Sequence, residues 1–198
     1  MSAGKYYDKV ARQYSRMITC GVGGNLKSRE KNSLITLLSP KSGDAILDAG
    51  CGSGYYAEII RKTGANVFCI DISQAMVEVV RRSGIEAEVQ DIQSLDLGRK
   101  FDKILCAGPL EFCKDPLGAL KNVRQHLNDE GLIVLSTLHF SIMGLVYWFY
   151  HLSHGLRIHL YSLGEITSLL NQAEFSVEVV ERPTSFLFVI RARPQKNV

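Results

Sequence analysis

The stretch "ILDAGCGSGYYAEII", residues 46–60, decides the fold class that this chain is expected to have. An apolar run typical of a buried strand reaches Asp48, glycines follow at positions 50, 52 and 54, and a helical pattern begins at once. Glycines let a ligand approach the backbone at the tip of a strand, and the start of a helix offers free N–H groups. The stretch therefore predicts a ligand site at the carboxyl end of a parallel strand.

Strand-like and helical patterns alternate from residue 45 onward. The strand-like runs are 45–49, 66–71, 86–90, 101–107 and 131–137, and the helical patterns between them are 54–63, 73–83 and 115–128. This alternation predicts a parallel sheet with right-handed crossovers. After a helix at 162–172, runs at 175–181 and 185–193 flank a turn at Arg182-Pro183-Thr184 and should pair antiparallel. We therefore expect an α/β, Rossmann-like, seven-stranded, mostly parallel sheet with one antiparallel edge hairpin and helices on both faces.

The chain of 198 residues has a length that suits a single domain. Residues 1–40 are predicted to form a helical cap of two amphipathic helices, 5–18 and 26–39, with the glycine-rich break "CGVGG" between them. Residues 41–193 are predicted to form the Rossmann-like core.

Charge and cysteine content limit the partners and the compartment. The net charge is +3, and no block of five like charges occurs, so we expect no nucleic-acid partner. The five cysteines, at 20, 51, 69, 106 and 113, show no C-x-x-C pair and no metal-ligand spacing. The odd number of cysteines favours a reducing compartment, and "MSAGKYYDKVARQYS" lacks the apolar region of a secretory leader. We expect a cytoplasmic protein without a metal site.

One uncharged segment is long enough to cross a membrane. No Asp, Glu, Lys or Arg lies between Glu130 and Arg157. Ser136, Thr137 and Ser141 mark a break inside it, which indicates a short buried strand followed by a separate aromatic-rich helix. We therefore expect no transmembrane span, and peripheral contact with a membrane stays open.

The spacing of the acids indicates which ligand lies at the glycines. The dinucleotide fingerprint is G-x-G-x-x-G, but here the third glycine comes one residue early and Asp48 stands two residues before the first. An acid at the strand tip would repel a pyrophosphate, whereas it would form a charge-assisted hydrogen bond with the ammonium group of a methionine tail. The pattern favours S-adenosylmethionine over a dinucleotide.

Two further acids stand where an adenosine would need them. Asp71, about 20 residues after the glycines, can accept both ribose hydroxyls, and Asp91 can accept from the adenine amino group. Ile72, Met76 and Ile92 can cover the purine. Each residue also has a purely structural interpretation: Asp48 can cap the loop, Asp71 can belong to a helix start, and Met76 can be core. Three acids and three glycines at successive strand ends are harder to explain in that way.

The sequence resembles the class I S-adenosylmethionine-dependent methyltransferases, most closely the small-molecule branch that includes the ubiquinone and menaquinone biosynthesis methyltransferases. The resemblance rests on "YYDKVARQYS", "ILDAGCGSGYYAEII", "CIDISQAMVEVVRR", "VQDIQSL" and "FDKILCAGPLEFCKDPLGALKNVRQHLNDEGLIVLST". It implies transfer of a methyl group from the cofactor sulfonium to a small-molecule acceptor. It also implies that the cofactor contacts are Tyr14 (or Tyr6), Asp48, Ala49, Gly50, Gly52, Gly54, Asp71, Ile72, Met76, Asp91, Ile92, Ala107, Gly108 and Leu110.

The acceptor side departs from that branch. Where relatives often carry a histidine-rich loop after the fourth strand, this chain has "GPLEF", and the glycine often found before the sixth strand is Glu174. Glu111 and His139 are the candidate general bases, because they follow the fourth and fifth strands. Residues 138–160 are predicted to be an insertion on the acceptor side. Its aromatic residues suggest a hydrophobic or aromatic acceptor, although the segment can equally serve only to cover the sheet.

Two other functions stay open at this point. One is an NAD(P)-dependent oxidoreductase on the same fold class, and the other is a non-catalytic module that binds S-adenosylmethionine. The acceptor, the methylated atom and the oligomeric state do not follow from the sequence.

Overall fold

The computed structural model describes residues 2–19 and 21–196, without the side chains of 12–19 and 21–24. The strands are β1 (Ala45–Ala49), β2 (Asn66–Asp71), β3 (Glu86–Val89), β4 (Phe101–Ala107), β5 (Leu127–Leu138), β6 (Phe175–Thr184) and β7 (Leu187–Pro194). The helices are α1 (Ala3–Thr19), α2 (Gly21–Leu38), α3 (Tyr55–Arg61), α4 (Gln74–Arg82), α5 (Pro116–Gln125), α6 (Ile142–Ser153) and α7 (Leu163–Gln172).

The strands form one sheet in the order β3-β2-β1-β4-β5-β7-β6. Neighbouring strands from β3 to β5 pair in parallel, whereas β7 pairs antiparallel with both β5 and β6. The predicted fold class is confirmed. After β1 the chain adds β2 and β3 on one side, and it then crosses back to add β4 on the other side of β1. The strand order therefore reverses between β1 and β4, and open α/β sheets bind ligands at such a point.

Three local predictions were wrong. Strand β5 begins at Leu127 rather than at residue 131, because the polar residues 128–130 join the strand beyond a bulge opposite Phe101. The hairpin turn lies at residues 185–186, since β6 continues through Pro183, which an edge strand tolerates. The glycines at 21, 23 and 24 belong to α2 rather than to a break. Cys20 lies outside the described residues.

Helices cover both faces of the sheet. Apolar residues of α5 and α7, such as Leu120 and Leu170, pack on one face of the sheet and form one cluster with Ile104 of β4. On the other face, Leu34 of α2 and Ile60 of α3 pack against the sheet, and α4 packs beside them. Strands β1, β4 and β5 are therefore buried on both faces, as continuous apolar runs predict.

Helices α1 and α6 lie at the carboxyl ends of the strands. The Asp8 carboxylate of α1 accepts a hydrogen bond from the Ser73 hydroxyl (2.6 Å) at the start of α4. Tyr6 packs against the rings of His151 and His154 of α6, with ring centroids 6.4 and 5.9 Å apart. Helix α6, with 12 residues, is too short to cross a bilayer, and no other helix in the described part of the chain combines the required length and apolarity.

Glu174 adopts a backbone conformation that favours glycine. Its φ angle is +61°, and its side chain is exposed in the turn between α7 and β6. A non-glycine residue in the left-handed region costs about 1 kcal/mol relative to glycine. The departure from the family pattern noted at this position therefore has a cost in stability.

We expect Glu174→Gly to raise the free energy of unfolding by about 0.5–1 kcal/mol, because glycine adopts positive φ without strain. The contrasting variant is Ser168→Gly in the exposed face of α7, which should lower it by about 0.5 kcal/mol. Urea unfolding of both variants measures the difference. A Glu174→Gly variant as unstable as Ser168→Gly would contradict the assignment of strain.

Candidate functional site

Two adjoining cavities open at the carboxyl ends of the strands. The first, which we call the strand-end cavity, is lined by Ala3, Tyr7, Gly50, Gly52, Ile70, Asp71, Ile72, Gln90, Asp91, Ile92, Gln93, Ala107, Gly108, Pro109, Phe112 and Cys113. The second, the carboxyl cavity, is lined by Tyr7, Leu26, Lys27, Glu30, Ala107, Gly108, Glu111, Phe112, Ser136, Leu138, Tyr147, Phe186 and Leu187. The four residues that line both show where the two cavities meet.

The glycine loop after β1 forms one wall of the strand-end cavity. Gly50 has a φ angle of +81°, and a Cβ atom there would lie 2.8 Å from the Cβ of Pro109. The Gly50 N–H donates to the Ile70 carbonyl (2.8 Å), which ties the loop to β2. Glycine is required at position 50 both for the backbone turn and for close packing against the loop after β4.

Asp48, at the end of β1, is fully buried, and neither of its carboxylate oxygens has a hydrogen-bond partner among the described residues. Burial and, to a smaller extent, the nearby Asp71 carboxylate together raise its pKa to about 7, whereas Lys27 and the Ala57 backbone favour the charged form. A buried carboxylate is costly unless it is paired. Asp48 therefore offers an unmatched acceptor to a cationic ligand group.

Asp71, at the end of β2, organises the cavity wall. One of its oxygens accepts the Gly52 N–H (2.8 Å), and the other accepts the Ser73 N–H (2.8 Å). Burial raises the pKa of Asp71, although these two N–H groups favour its charged form. Each oxygen keeps a second lone pair, so the carboxylate that holds the glycine loop can also accept from a ligand hydroxyl.

Asp91 follows β3 and stands at the start of the short 3₁₀ helix Ile92–Ser94. Its carboxylate accepts the backbone N–H of Gln93 (2.9 Å) and contacts the Gln93 amide nitrogen (3.2 Å). The Gln93 amide oxygen in turn accepts the N–H groups of Lys114 and Asp115 (2.9 and 3.0 Å). Gln93 thus joins the loops after β3 and β4 around the same cavity.

The structure brings most of the predicted cofactor residues together. The predicted residues that line the strand-end cavity are Gly50, Gly52, Asp71, Ile72, Asp91, Ile92, Ala107 and Gly108. The predicted residues that line neither cavity are Asp48, Ala49, Gly54, Met76 and Leu110. The side chain of Tyr14 lies outside those the structure describes, and Tyr6 faces α6 rather than either cavity.

Glu111 is the buried acid of the carboxyl cavity. It follows β4 in the 3₁₀ turn Leu110–Phe112, and its Oε1 accepts the Leu138 N–H at the end of β5 (2.7 Å). Its Oε2 has no hydrogen-bond partner among the described residues. Burial raises the pKa of Glu111 to about 7 against the effect of the Leu138 N–H. A carboxyl group with that pKa can accept or donate a proton near neutral pH.

Glu30 of α2 is a second buried acid in this cavity. Its carboxylate accepts from the Ser136 hydroxyl (2.9 Å) and pairs with Lys27 one helical turn away (3.0 Å). The Lys27 ammonium also lies over the ring of Tyr56, 4.5 Å from its centroid. The cavity therefore presents one acid paired with a cation, Glu30, and one acid without such a pair, Glu111.

His139 lies outside both cavities. Its ring stacks on Phe188, with centroids 4.7 Å apart, and its Nδ1 lies 3.2 Å from the Phe140 carbonyl. Leu138, the last residue of β5, pairs with Leu187, and both line the carboxyl cavity, whereas the next residue along the chain does not. Of the two candidate bases, only Glu111 lines a cavity.

Sequence reasoning missed three residues of these cavities. Tyr7 and Phe112 line both cavities and contact each other edge to face, with ring centroids 5.6 Å apart. Glu30 was missed because its helix precedes the sheet by sequence, and only the packing of α2 on β5 brings it to the site. Two features of the sequence could have indicated Tyr7 and Glu30: the tyrosine pair at 6–7, and an acid among the apolar positions of α2.

Comparison with known proteins gives the family. The model of a methyltransferase domain matches residues 25–180. A ubiquinone biosynthesis O-methyltransferase of Xanthomonas oryzae pv. oryzae is 35% identical over 105 residues, which cover 49% of this chain and 44% of the relative. A tRNA U34 carboxymethyltransferase of Campylobacter hominis is 30% identical over 152 residues, 73% of this chain and 53% of the relative. The chain spans only about half the length of these relatives.

Solved structures agree on the fold. Magnesium protoporphyrin IX methyltransferase from Synechocystis PCC 6803, with bound SAH, superposes with a TM-score of 0.77 at 16% identity and covers 98% of both chains. Because the methyltransferase domain matches 156 of the 198 residues, from 25 to 180, this chain belongs to the methyltransferase-domain family.

Proposed function

We propose that this protein is an S-adenosylmethionine-dependent methyltransferase that acts on a small, hydrophobic or aromatic molecule by in-line methyl transfer. The observation that carries the proposal is the buried, unmatched carboxylate of Asp48 beside the glycine loop. A cationic amino acid tail satisfies that carboxylate, whereas a pyrophosphate would be repelled by it. Membership of the methyltransferase-domain family supports the same ligand and does not favour the NAD(P)-dependent alternative.

The residues of the strand-end cavity fit the three parts of this cofactor. Asp71 would hold the ribose hydroxyls, and Asp91 with Ile72 and Ile92 the adenine. The glycine loop would hold the methionine part together with Asp48, which is buried next to that loop and does not line the cavity itself. Ile72 is 44% exposed, as expected of an apolar residue that a ligand covers. Gly108 lies where the two cavities meet and carries no side chain that would separate donor from acceptor.

The bound cofactor supplies an electrophilic methyl group on a sulfonium. The protein's part is to align the acceptor with that methyl group and to exclude water. Where the acceptor keeps its proton, Oε2 of Glu111 would accept that proton as the acceptor oxygen or nitrogen takes the methyl group and the cofactor leaves as S-adenosylhomocysteine. The free lone pairs and raised pKa of Glu111 suit that role.

The carboxyl cavity supports a mainly apolar acceptor with one hydrogen-bond donor. Tyr7, Phe112 and Tyr147 supply aromatic walls, and Leu138 and Leu187 add aliphatic surface. Glu111, which has no cation paired with it among the described residues, disfavours an anionic group at the inner end. An O–H or N–H group on an aromatic body is the chemistry that these walls accept.

We also propose a cytoplasmic location. Cys51, Cys69, Cys106 and Cys113 are all free thiols, and the first three are buried. Such thiols are typical of reducing compartments.

Calorimetry tests the cofactor assignment. We expect S-adenosylhomocysteine to bind and NADH not to bind. Asp71→Ala should weaken the affinity for S-adenosylhomocysteine at least about tenfold, because hydrogen bonds to a charged acceptor are lost. The exposed acid Asp129 provides the matched control, since Asp129→Ala should leave the affinity unchanged. Binding of NADH alone would reverse the choice of ligand.

Asp48 should make the stability of the ligand-free protein depend on pH. Its folded-state pKa of about 7 lies above the ordinary value of 3.8, so the folded state binds its proton more tightly than the unfolded state does. The free energy of unfolding should then fall as pH rises from about 4 to 7, by as much as ~4 kcal/mol at about 1.4 kcal/mol per pKa unit.

Asp48→Asn should remove this part of the pH dependence and make the ligand-free protein more stable at pH 8. The same variant should bind S-adenosylhomocysteine about tenfold to a hundredfold more weakly, because the amide cannot pair with the ammonium group. Urea unfolding from pH 4 to 8 and calorimetry measure the two effects. Weaker binding without the change in pH dependence would mean that Asp48 is already charged in the folded protein.

A screen with labelled cofactor identifies an acceptor among apolar phenols and amines. Turnover of polar metabolites only would refute the acceptor class. Cofactor binding without any turnover would favour the non-catalytic module.

Glu111→Gln tests the catalytic base separately from cofactor binding. With that acceptor, Glu111→Gln should lower kcat about 10²–10⁴-fold and abolish the rise in rate with pH through about 7. Binding of S-adenosylhomocysteine should not change. If His139→Asn rather than Glu111→Gln had this effect, the base would be His139.

A further inference from the structure

The apolar surface of the protein is concentrated on one short segment. Eleven large hydrophobic side chains in the described part of the chain are well exposed, and eight of them lie between residues 140 and 152. The most exposed are Ile142 (83%), Phe140 (69%), Phe149 (62%) and Val146 (56%). We call residues 140–153 the α6 segment. A cluster of this kind marks an interaction surface rather than ordinary surface variation.

The α6 segment contacts the rest of the protein along a narrow stripe. Gly144 and His151 are buried, and Trp148 between them packs on a small apolar cluster formed by Leu138, Ile158 and Leu187. These three positions of α6 fall on one helix face at i, i+4 and i+7. The remaining faces are apolar as well, which is typical of a helix that lies in an apolar medium.

The charges around the α6 segment indicate what kind of apolar medium it contacts. No Asp or Glu occurs from residue 131 to residue 164, although the helix is followed by Arg157 and carries His151 and His154 at its end. At the other end, the Arg182 guanidinium lies 4.9 Å from the centroid of Phe188, the ring on which His139 stacks. The segment thus combines exposed apolar side chains with one arginine near each end, Arg157 and Arg182, and no acid among its own residues.

This pattern favours a bilayer over a second copy of the chain. In a two-fold symmetric contact the same surface meets itself, so cations would face cations across an apolar patch without acids in residues 131–164 to pair with them. An anionic lipid surface supplies both the apolar medium and the negative charge. The exposed aromatic residue Tyr150 is of the type that lies at the lipid–water boundary.

We propose that the α6 segment docks this protein on an anionic lipid bilayer, with Ile142, Val146 and Phe149 inserted among the acyl chains. Tyr147 of the same helix lines the carboxyl cavity, so docking would place that cavity next to the lipid. A lipid-soluble acceptor then reaches Glu111 without crossing water. This last step rests on the proposed function, whereas the docking itself does not.

Vesicle co-sedimentation tests the docking directly. We expect the full chain to bind vesicles of phosphatidylcholine and phosphatidylglycerol in equal parts, and to bind pure phosphatidylcholine vesicles more weakly. The double variant Ile142→Gln/Phe149→Gln should bind both at least about tenfold more weakly, because two inserted side chains are lost. The double variant Val89→Gln/Val180→Gln removes two exposed apolar side chains elsewhere and should bind like the wild type.

Arg157→Gln separates charge from insertion. It should weaken binding to the mixed vesicles about fivefold, the effect of one cation near an anionic surface, and leave binding to pure phosphatidylcholine unchanged. Sedimentation equilibrium of the same variants without lipid measures the oligomeric state. Absence of vesicle binding would overturn the proposal. A dimer that Ile142→Gln/Phe149→Gln dissociates, without any effect of that variant on vesicle binding, would overturn it in favour of self-association.

Calorimetry with S-adenosylhomocysteine on the same variants keeps the two proposals apart. Unchanged cofactor affinity in Ile142→Gln/Phe149→Gln shows that the variant is folded, so its loss of vesicle binding then supports docking. Vesicle binding by a wild-type protein that does not bind the cofactor would support docking and refute the proposed function. Cofactor binding and turnover without vesicle binding would support the proposed function and refute docking.

Discussion

The carboxylate of Asp48 is the constraint on which the site depends. It ends a central strand, is fully buried, and has no hydrogen-bond partner among the described residues, while a second acid, Asp71, lies near enough to disfavour its charge. Burying such a group costs free energy unless a cation or a proton compensates it. The ligand-free protein therefore carries a cost in stability at neutral pH that a cationic ligand would remove. This is a physical reason for a folded protein to retain an acid where an apolar residue would stabilise it.

The remaining charges are distributed around that constraint. Lys27 neutralises Glu30 directly and favours the charged form of Asp48, so one ammonium group serves two buried acids. Glu111 has no such cation in the part of the chain that the structure describes, and its raised pKa follows from burial. The two cavities consequently differ: one is built to attract positive charge, and the other holds a carboxyl group that exchanges a proton near neutral pH. Tyr7 and Phe112 stand between them as uncharged walls.

Local patterns predicted the sheet well because each strand and helix has its own periodicity. The glycine loop and the acids Asp71 and Asp91 follow strands directly, so their meeting at one edge of the sheet could be foreseen. The course of β5 could not, because residues 128–130 are polar and lie in the bulge between the residues of β5 that pair with Phe101 and Lys103 of β4. Glu30 and Tyr7 lie on helices that precede the sheet, and their positions depend on packing between distant segments. His139 illustrates the reverse error, since a residue next to a strand end can still face away from the cavities.

Two helices, α1 and α6, cover the site. Helix α1 is fixed to α4 through Asp8 and Ser73, and to α6 through the rings of Tyr6, His151 and His154. In α6 itself, Gly144 and His151 are the buried residues. A segment with so few buried residues opens at a low cost in free energy compared with the sheet. Since α1 lines the strand-end cavity and α6 lines the carboxyl cavity, movement of this pair would expose both cavities together. A bilayer that held α6 would leave α1 as the part that moves, so that access for the cofactor could be separated from access for an apolar acceptor.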